Sequence, residues 1–219
     1  MEFISGILSN FFSSEYLMGA VRTIVLTLIS QCLAVILGLI LELLRRTKKP
    51  ITVKFVNFYI WLFRGIPVLV QLIFVYTALP QVGIKFDNFT SALIALTLNE
   101  AAYMAEIIRS GFDSVDGGQQ KAAKMLGLSK TEIMKKITLP QALQVIVPPT
   151  ANQFNGMLKT SALASVVGYS DLLLTAQQIA SANFEYMSAL TAAVIYYLIF
   201  TTIFTYVQKK AEQKFNYLQ

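Results

Sequence analysis

Asn99, Glu100 and Tyr103 fall close together in one apolar stretch of the chain, and Asn152, Asn155 and Lys159 recur at i, i+3 and i+7 in another. On a helix the second set forms a single polar stripe, and Tyr103 stands one turn from Glu100. An ionised side chain at bilayer depth costs about 2.5–3.5 kcal/mol on insertion scales, so such groups face a polar pathway or a partner. An acid and a base on neighbouring helices suit a zwitterion, with Lys159 taking an α-carboxylate and Glu100 a cationic group. The competing reading is a Glu100–Lys159 ion pair that locks two helices. Asn and Gln at helix interfaces also serve as interhelical glue. Glu106 and Arg109, one turn apart, read as a local pair, and Arg64 as a cation snorkelling to the interface.

The elements that carry these groups are set by hydropathy. Of 219 residues 55% are hydrophobic and only 14% charged, which marks an integral membrane protein and not a soluble core. Cys32 is the single cysteine and sits in an apolar run, so it reads as a small buried apolar residue outside any disulfide or metal framework. Met1 to Tyr16, with Phe3, Phe11, Phe12 and Tyr16, reads as an interfacial segment without a signal peptide's basic start or cleavage site. A first span is expected from Thr23 to Leu44, closed by the basic run Arg45 to Lys49. Arg64-Gly65-Ile66-Pro67 then implies a bend or a helix restart, with an elbow over Lys54 to Phe63 and span two from Pro67 to Leu79. Spans three (Phe89 to Gly111), four (Leu143 to Val167) and five (Glu185 to Val207) follow, with a polar connection from Gly168 to Phe184.

Between spans three and four lies the one long polar insertion, about residues 115–140. Gln119 to Leu126 reads as a helix with Ala122 and Ala123 at its centre, and Gly127 as its left-handed stop. Ser129 and Glu132 form a capping box that starts a second helix, and Pro140 marks the next element. Two short helices meeting at a glycine make a compact knob. With Ile133, Met134 and Ile137 among lysines, an amphipathic loop lying on the membrane is the other reading. The small Ala122-Ala123 patch suits a protein groove better. Basic residues cluster after spans one, three and five, while the opposite loops hold Lys85 and little else. The positive-inside rule therefore makes the knob cytoplasmic, the N-terminus external and the C-terminus cytoplasmic.

Ala122-Ala123, Gly127 after three intervening residues and Ile137-Thr138-Leu139-Pro140 after a further nine resemble the cytoplasmic coupling loop of bacterial ABC importer permeases. That family's signature opens Glu-Ala-Ala, and here Lys121 stands in place of the glutamate. Arg64-Gly65-Ile66-Pro67 with Gln71, the run Ala101 to Arg109, and Lys159-Thr160-Ser161-Ala162-Leu163 with Gly168 resemble the branch that imports polar and charged amino acids. The resemblance implies one all-α permease domain over 1–219, of the type I importer kind. It implies five transmembrane helices in the bacterial inner membrane, paired with a second permease subunit, either itself or a close relative. It further implies ATPase contacts at Lys121, Ala122, Ala123, Gly127, Ile137, Leu139 and Pro140, and an extracytoplasmic binding protein that delivers the amino acid.

No Gly-x-x-x-x-Gly-Lys-Ser/Thr occurs anywhere in the chain. Such a loop supplies the backbone amides and lysine that cradle nucleotide phosphates. The chain is therefore expected to carry no cofactor and no ATPase site of its own, with ATP and Mg held by a separate subunit. Nothing points to nucleic acid, because the basic residues mark topology. A self-contained secondary carrier or channel, with Glu100 as a proton site, is the alternative class. It should show two inverted repeats, and no internal duplication is visible.

Overall fold

The computed structural model describes residues 2–216, without the side chains of Glu2 and of 214–216. Met1 of the interfacial segment and the side chain of Lys214 thus lie outside the described residues. Among them every regular element is helical. Helix α1 (Glu2–Phe11) is followed by α2 (Ser14–Arg46), which Ser13 caps by accepting a hydrogen bond from the Tyr16 N–H. Helix α2 has 33 residues, about 50 Å at ~1.5 Å per residue, and begins nine residues before the expected span. Arg45 and Arg46 sit in its last turn, where cations suit the free carbonyls.

Helix α3 (Pro50–Gly65) stops at Ile66-Pro67 and restarts as α4 (Val68–Ile73), which runs through a π turn and a 3-10 turn to Val82. The two halves meet at 100°. Pro67 has no N–H to give to the Phe63 carbonyl, four residues back, and that lost bond is the origin of the bend. Two amides satisfy the orphaned carbonyl instead: Gln71 Nε2 at 2.9 Å and Asn99 Nδ2 at 2.7 Å. Gln71 Nε2 also donates to Ile66 O at 2.8 Å.

Helix α5 (Asn88–Asp113) is capped by Asp87, and its most extensive partner is α2. Their approach depends on small residues. A side chain on Gly38 would place its Cβ 2.6 Å from Met104 Cβ, and Ala101, Ala102 and Ala105 line the same contact. Helices α6 (Gly117–Met125) and α7 (Lys130–Ile133) form the polar insertion, and a π turn leads into α8 (Leu139–Thr160). Helix α8 is continuous through Pro148 and Pro149 and ends in a 3-10 stretch, Ser161–Val167. It starts beside Gly111 and finishes where Asn88 Nδ2 donates to Gly168 O, so it runs antiparallel along the whole of α5.

The expected polar connection after Gly168 is instead largely a helix, α9 (Leu172–Asn183), with Leu172, Thr175, Ala176 and Ala180 buried. Helix α10 (Tyr186–Asn216) closes the bundle. Tyr16 and Tyr196 fasten its first half to the N-terminal helices by donating to Ala189 O and Phe11 O. Cys32 is not buried: it lies on the exposed apolar face of α2 among Leu28, Ile29, Leu33 and Ile36. By length and composition α2, α5 and α10 are apolar enough to cross a membrane, and the bent α3–α4 pair makes a fourth candidate. Helix α8 falls outside that group because it carries Gln141, Gln144, Asn152, Gln153, Asn155 and Lys159.

Candidate functional site

The break between α3 and α4 opens a cleft of about 450 Å³ against α5 and α8. Irregular backbone within a membrane is tolerated only where protein covers it or where it lines a polar cavity, and the broken α3–α4 segment here lines a cleft with polar side chains. Arg64, Gly65 and Ile66 form one wall, Asn99, Glu100 and Tyr103 a second, and Gln153, Gly156 and Thr160 a third. Glu100 is buried, and its Oε1 accepts from Gln153 Nε2 at 3.0 Å. Arg64 has no acidic partner among the described residues, and its guanidinium lies over the Tyr103 ring, 5.0 Å from the centroid. The cleft therefore holds one carboxylate and one guanidinium, neither neutralised by the other sign. A different groove of about 310 Å³, between α2, α5, α8 and α10, is lined by Met104, Ile108, Phe154 and Phe204 and has no ionisable group.

The structure brings together Asn99, Glu100 and Tyr103 and leaves out Asn152, Asn155 and Lys159. Asn99 lines the cleft but commits its amide to Phe63 O. Asn152 and Lys159 are exposed, and Asn155 donates to Thr205 and Gln208 of α10. The face of α8 turned to Glu100 is the neighbouring one, Gln153, Gly156 and Thr160, with the same i, i+3, i+7 spacing displaced by one residue. The Glu100–Lys159 ion pair of the competing reading does not form: Gln153 donates to the carboxylate. Arg64, read as snorkelling, lines the cleft, and its wall position follows from the 100° bend.

The insertion has the expected local chemistry. Gly127 takes φ +83° between α6 and α7, a conformation that glycine reaches without strain. Ser129 Oγ accepts from the Glu132 N–H at 3.3 Å, and Glu132 Oε2 accepts from the Ser129 N–H at 3.0 Å. Hydrogen bonds from Ser129 and the charge of Lys136 hold the Glu132 carboxyl down at about 2. Ala123 is buried, Lys121, Ala122 and Leu139 are exposed, and Ile137 and Pro140 are partly covered. Met125 and Leu126, not singled out in the sequence, project most, at 90% and 80% exposed. Their signal was available: two apolar residues immediately before the stop glycine of a short polar helix. Gln141 Nε2 donates to Gln119 Oε1 at 2.6 Å and ties the start of α8 to α6.

A helical bundle apolar on its outside, with a two-charge cleft inside and a capped helical loop at one end, defines a multi-pass membrane permease. The chain belongs to the family described as binding-protein-dependent transport system inner membrane component, which it matches over residues 34–217. Its relatives are permease subunits of transporters. It is 38% identical to the arginine transport system permease protein ArgU of Corynebacterium glutamicum, over 95% of this chain and 70% of that one. It is 36% identical to the arginine transport system permease protein ArtQ of Bacillus subtilis, over 90% of each. It is 35% identical to the putative glutamine transport system permease protein GlnP of Rickettsia typhi, again over 90% of each. The fold superposes on a solved amino acid ABC transporter with histidines at TM-score 0.89 and 33% identity, covering 98% of this chain and 99% of that one.

Proposed function

We propose that this chain is the transmembrane permease subunit of an ATP-driven importer, forming the pathway for a polar, basic amino acid such as arginine, lysine or histidine. The observation that carries the reading is the cleft that holds Glu100 and Arg64 without neutralising either. An α-amino acid with a cationic side chain supplies both missing charges: its carboxylate meets the guanidinium of Arg64 and its side chain meets Glu100. Arg64 thereby takes the role that sequence reading gave to Lys159. Gln153 and Tyr103 complete the walls with an amide and an aromatic face. The arginine and glutamine permeases among the relatives fit a polar cargo of this size.

In this reading α2, the bent α3–α4 unit, α5, α8 and α10 make five crossings, and the α6–α7 loop is the cytoplasmic coupling element. Met125, Leu126 and Ala122 present its apolar tip to a separate ATPase subunit, which holds ATP and Mg. A second permease subunit and an extracytoplasmic binding protein complete the assembly. The self-contained carrier or channel has no support from the family or from the relatives.

Reconstituted with its ATPase and binding protein, the complex should take up labelled arginine or lysine only with ATP. Unlabelled aspartate and glutamate should compete poorly. ATP-independent uptake by the chain alone would reverse the assignment. For orientation, a cysteine at position 85 should react with an impermeant maleimide in intact cells, in a background with Cys32 replaced, and one at 130 only after the membrane is opened. The opposite labelling pattern would place the loop outside.

A further inference from the structure

The ends of α2 and α5 are joined by a closed ring of six charged side chains, three acids alternating with three arginines. Glu42 Oε2 meets Arg45 Nη2 at 2.7 Å, and Arg45 Nη1 meets Glu106 Oε1 at 2.7 Å. Glu106 Oε2 meets Arg109 Nη2 at 2.9 Å, and Arg109 Nη1 meets Asp113 Oδ2 at 3.1 Å. Asp113 Oδ1 meets Arg46 Nη2 at 2.8 Å, and Arg46 Nε returns to Glu42 Oε1 at 2.9 Å. All six carboxylate oxygens are used, each on one arginine, and each arginine bridges two acids. The pair expected between Glu106 and Arg109 is one edge of this ring, and Arg45 and Arg46, read only as a topological signal, supply four of its six links. Arg46 also lies over the Phe112 ring, 4.7 Å from its centroid.

Stability alone does not account for the arrangement. Helices α2 and α5 are already fitted together at Gly38, Ala101 and Ala105. Partly exposed ion pairs add little, and a buried charge such as Glu42 is costly to install. The position of the ring is more informative. Asp113 is the last residue of α5, and only Ser114 to Asp116 separate it from α6. Arg46 is the last residue of α2. On the same helix as the ring, Tyr103 and Glu100 lie one and two turns behind Glu106. A force applied to α5 through the loop would meet α2 first at these tied ends, ahead of the packed contact at Gly38 and Ala101.

We propose that this ring is a clasp that makes α2 and α5 move as one body when the α6–α7 loop moves, so that Arg45, Arg46 and Arg109 are positioning residues for the transport cycle. The inference rests on the reading of α6–α7 as the coupling element. Arginine is required at each link because its planar fork reaches two carboxylates at once, whereas a lysine ammonium keeps the charge without that geometry.

The test uses the reconstituted complex with its ATPase and binding protein. In the Arg45→Lys, Arg46→Lys, Arg109→Lys triple variant, amino acid taken up per ATP hydrolysed should fall at least fivefold, with normal amounts of assembled complex. Replacing Arg46 and Asp113 by cysteines, with Cys32 replaced, should lower the ratio similarly, and a short thiol cross-linker between positions 46 and 113 should restore it. If uptake and hydrolysis fall together with the yield of complex at an unchanged ratio, the clasp is only structural and the proposal is overturned. Failure of the cross-link to restore the ratio overturns it as well. A wild-type complex in which substrate does not stimulate hydrolysis would overturn the coupling reading itself.

Discussion

Glu100→Gln is expected to lower uptake of arginine and lysine by at least tenfold while leaving uptake of neutral amino acids within twofold. The carboxylate is buried beside the bend, and in the cleft it accepts a hydrogen bond from the neutral Gln153 amide. A carboxylate removed from bulk water attracts a cation more strongly than one in solution, and it repels an acidic side chain. Hydrogen bonds to a charged group contribute about 1.5–3 kcal/mol, which is tenfold or more in affinity. Glutamine keeps the volume and the contact to Gln153 and removes only the charge.

Two companion variants separate this role from a helix lock. Arg64→Gln should weaken basic and neutral substrates alike, since every amino acid carries the α-carboxylate. Lys159→Gln should change nothing measurable, because Lys159 is exposed and outside the cleft, and it should not rescue Glu100→Gln. Labelled uptake with a panel of competitors gives all three results. Equal loss for every substrate in Glu100→Gln would remove Glu100 from side-chain recognition.

What could be read before any coordinates was the chemistry local to a few residues. The bend needed only Pro67, whose missing N–H orphans the Phe63 carbonyl, and the knob needed only Gly127 and the Ser129–Glu132 box. The polar face of α8 was not legible in the same way. Two stripes with identical spacing, Asn152-Asn155-Lys159 and Gln153-Gly156-Thr160, differ by about 100° of helix rotation, and the tertiary packing of α8 on α5 chooses between them. The more polar stripe faces α10 and the outside; the one with Gly156, which leaves open space, faces the cleft. Arg64 depended on the direction of the bend as well as its existence. The charged ring depended on partners 61 and 67 residues apart. Helix α9 was legible but passed over: Leu172, Ala176 and Ala180 recur every four residues, and Gln177 and Gln178 belong to its exposed face.

Gly127→Val is expected to leave membrane insertion and the α2–α5 core intact and to cut substrate-stimulated ATP hydrolysis at least fivefold. Nothing lies within 4 Å of the position a Cβ would take at Gly127, so the cost is not steric crowding by neighbours. It is conformational: at φ +83° a β-branched residue sits in backbone space that costs about 1–3 kcal/mol. The cheapest relief is to rotate the α6–α7 junction out of the left-handed region, which swings Met125 and Leu126 relative to the Ser129 cap. Those two side chains are the most exposed large apolar groups of the loop, and in the proposed assembly the turn sets their placement against the ATPase. Gly127→Asn is the matched control, because asparagine enters the left-handed region more readily than other non-glycine residues. It should retain most of the stimulation. The measurement is hydrolysis by the reconstituted complex with and without loaded binding protein, alongside the yield of co-purified ATPase. Stimulation in Gly127→Val equal to that of the unaltered protein would show that the α6–α7 turn does not set the contact with the ATPase.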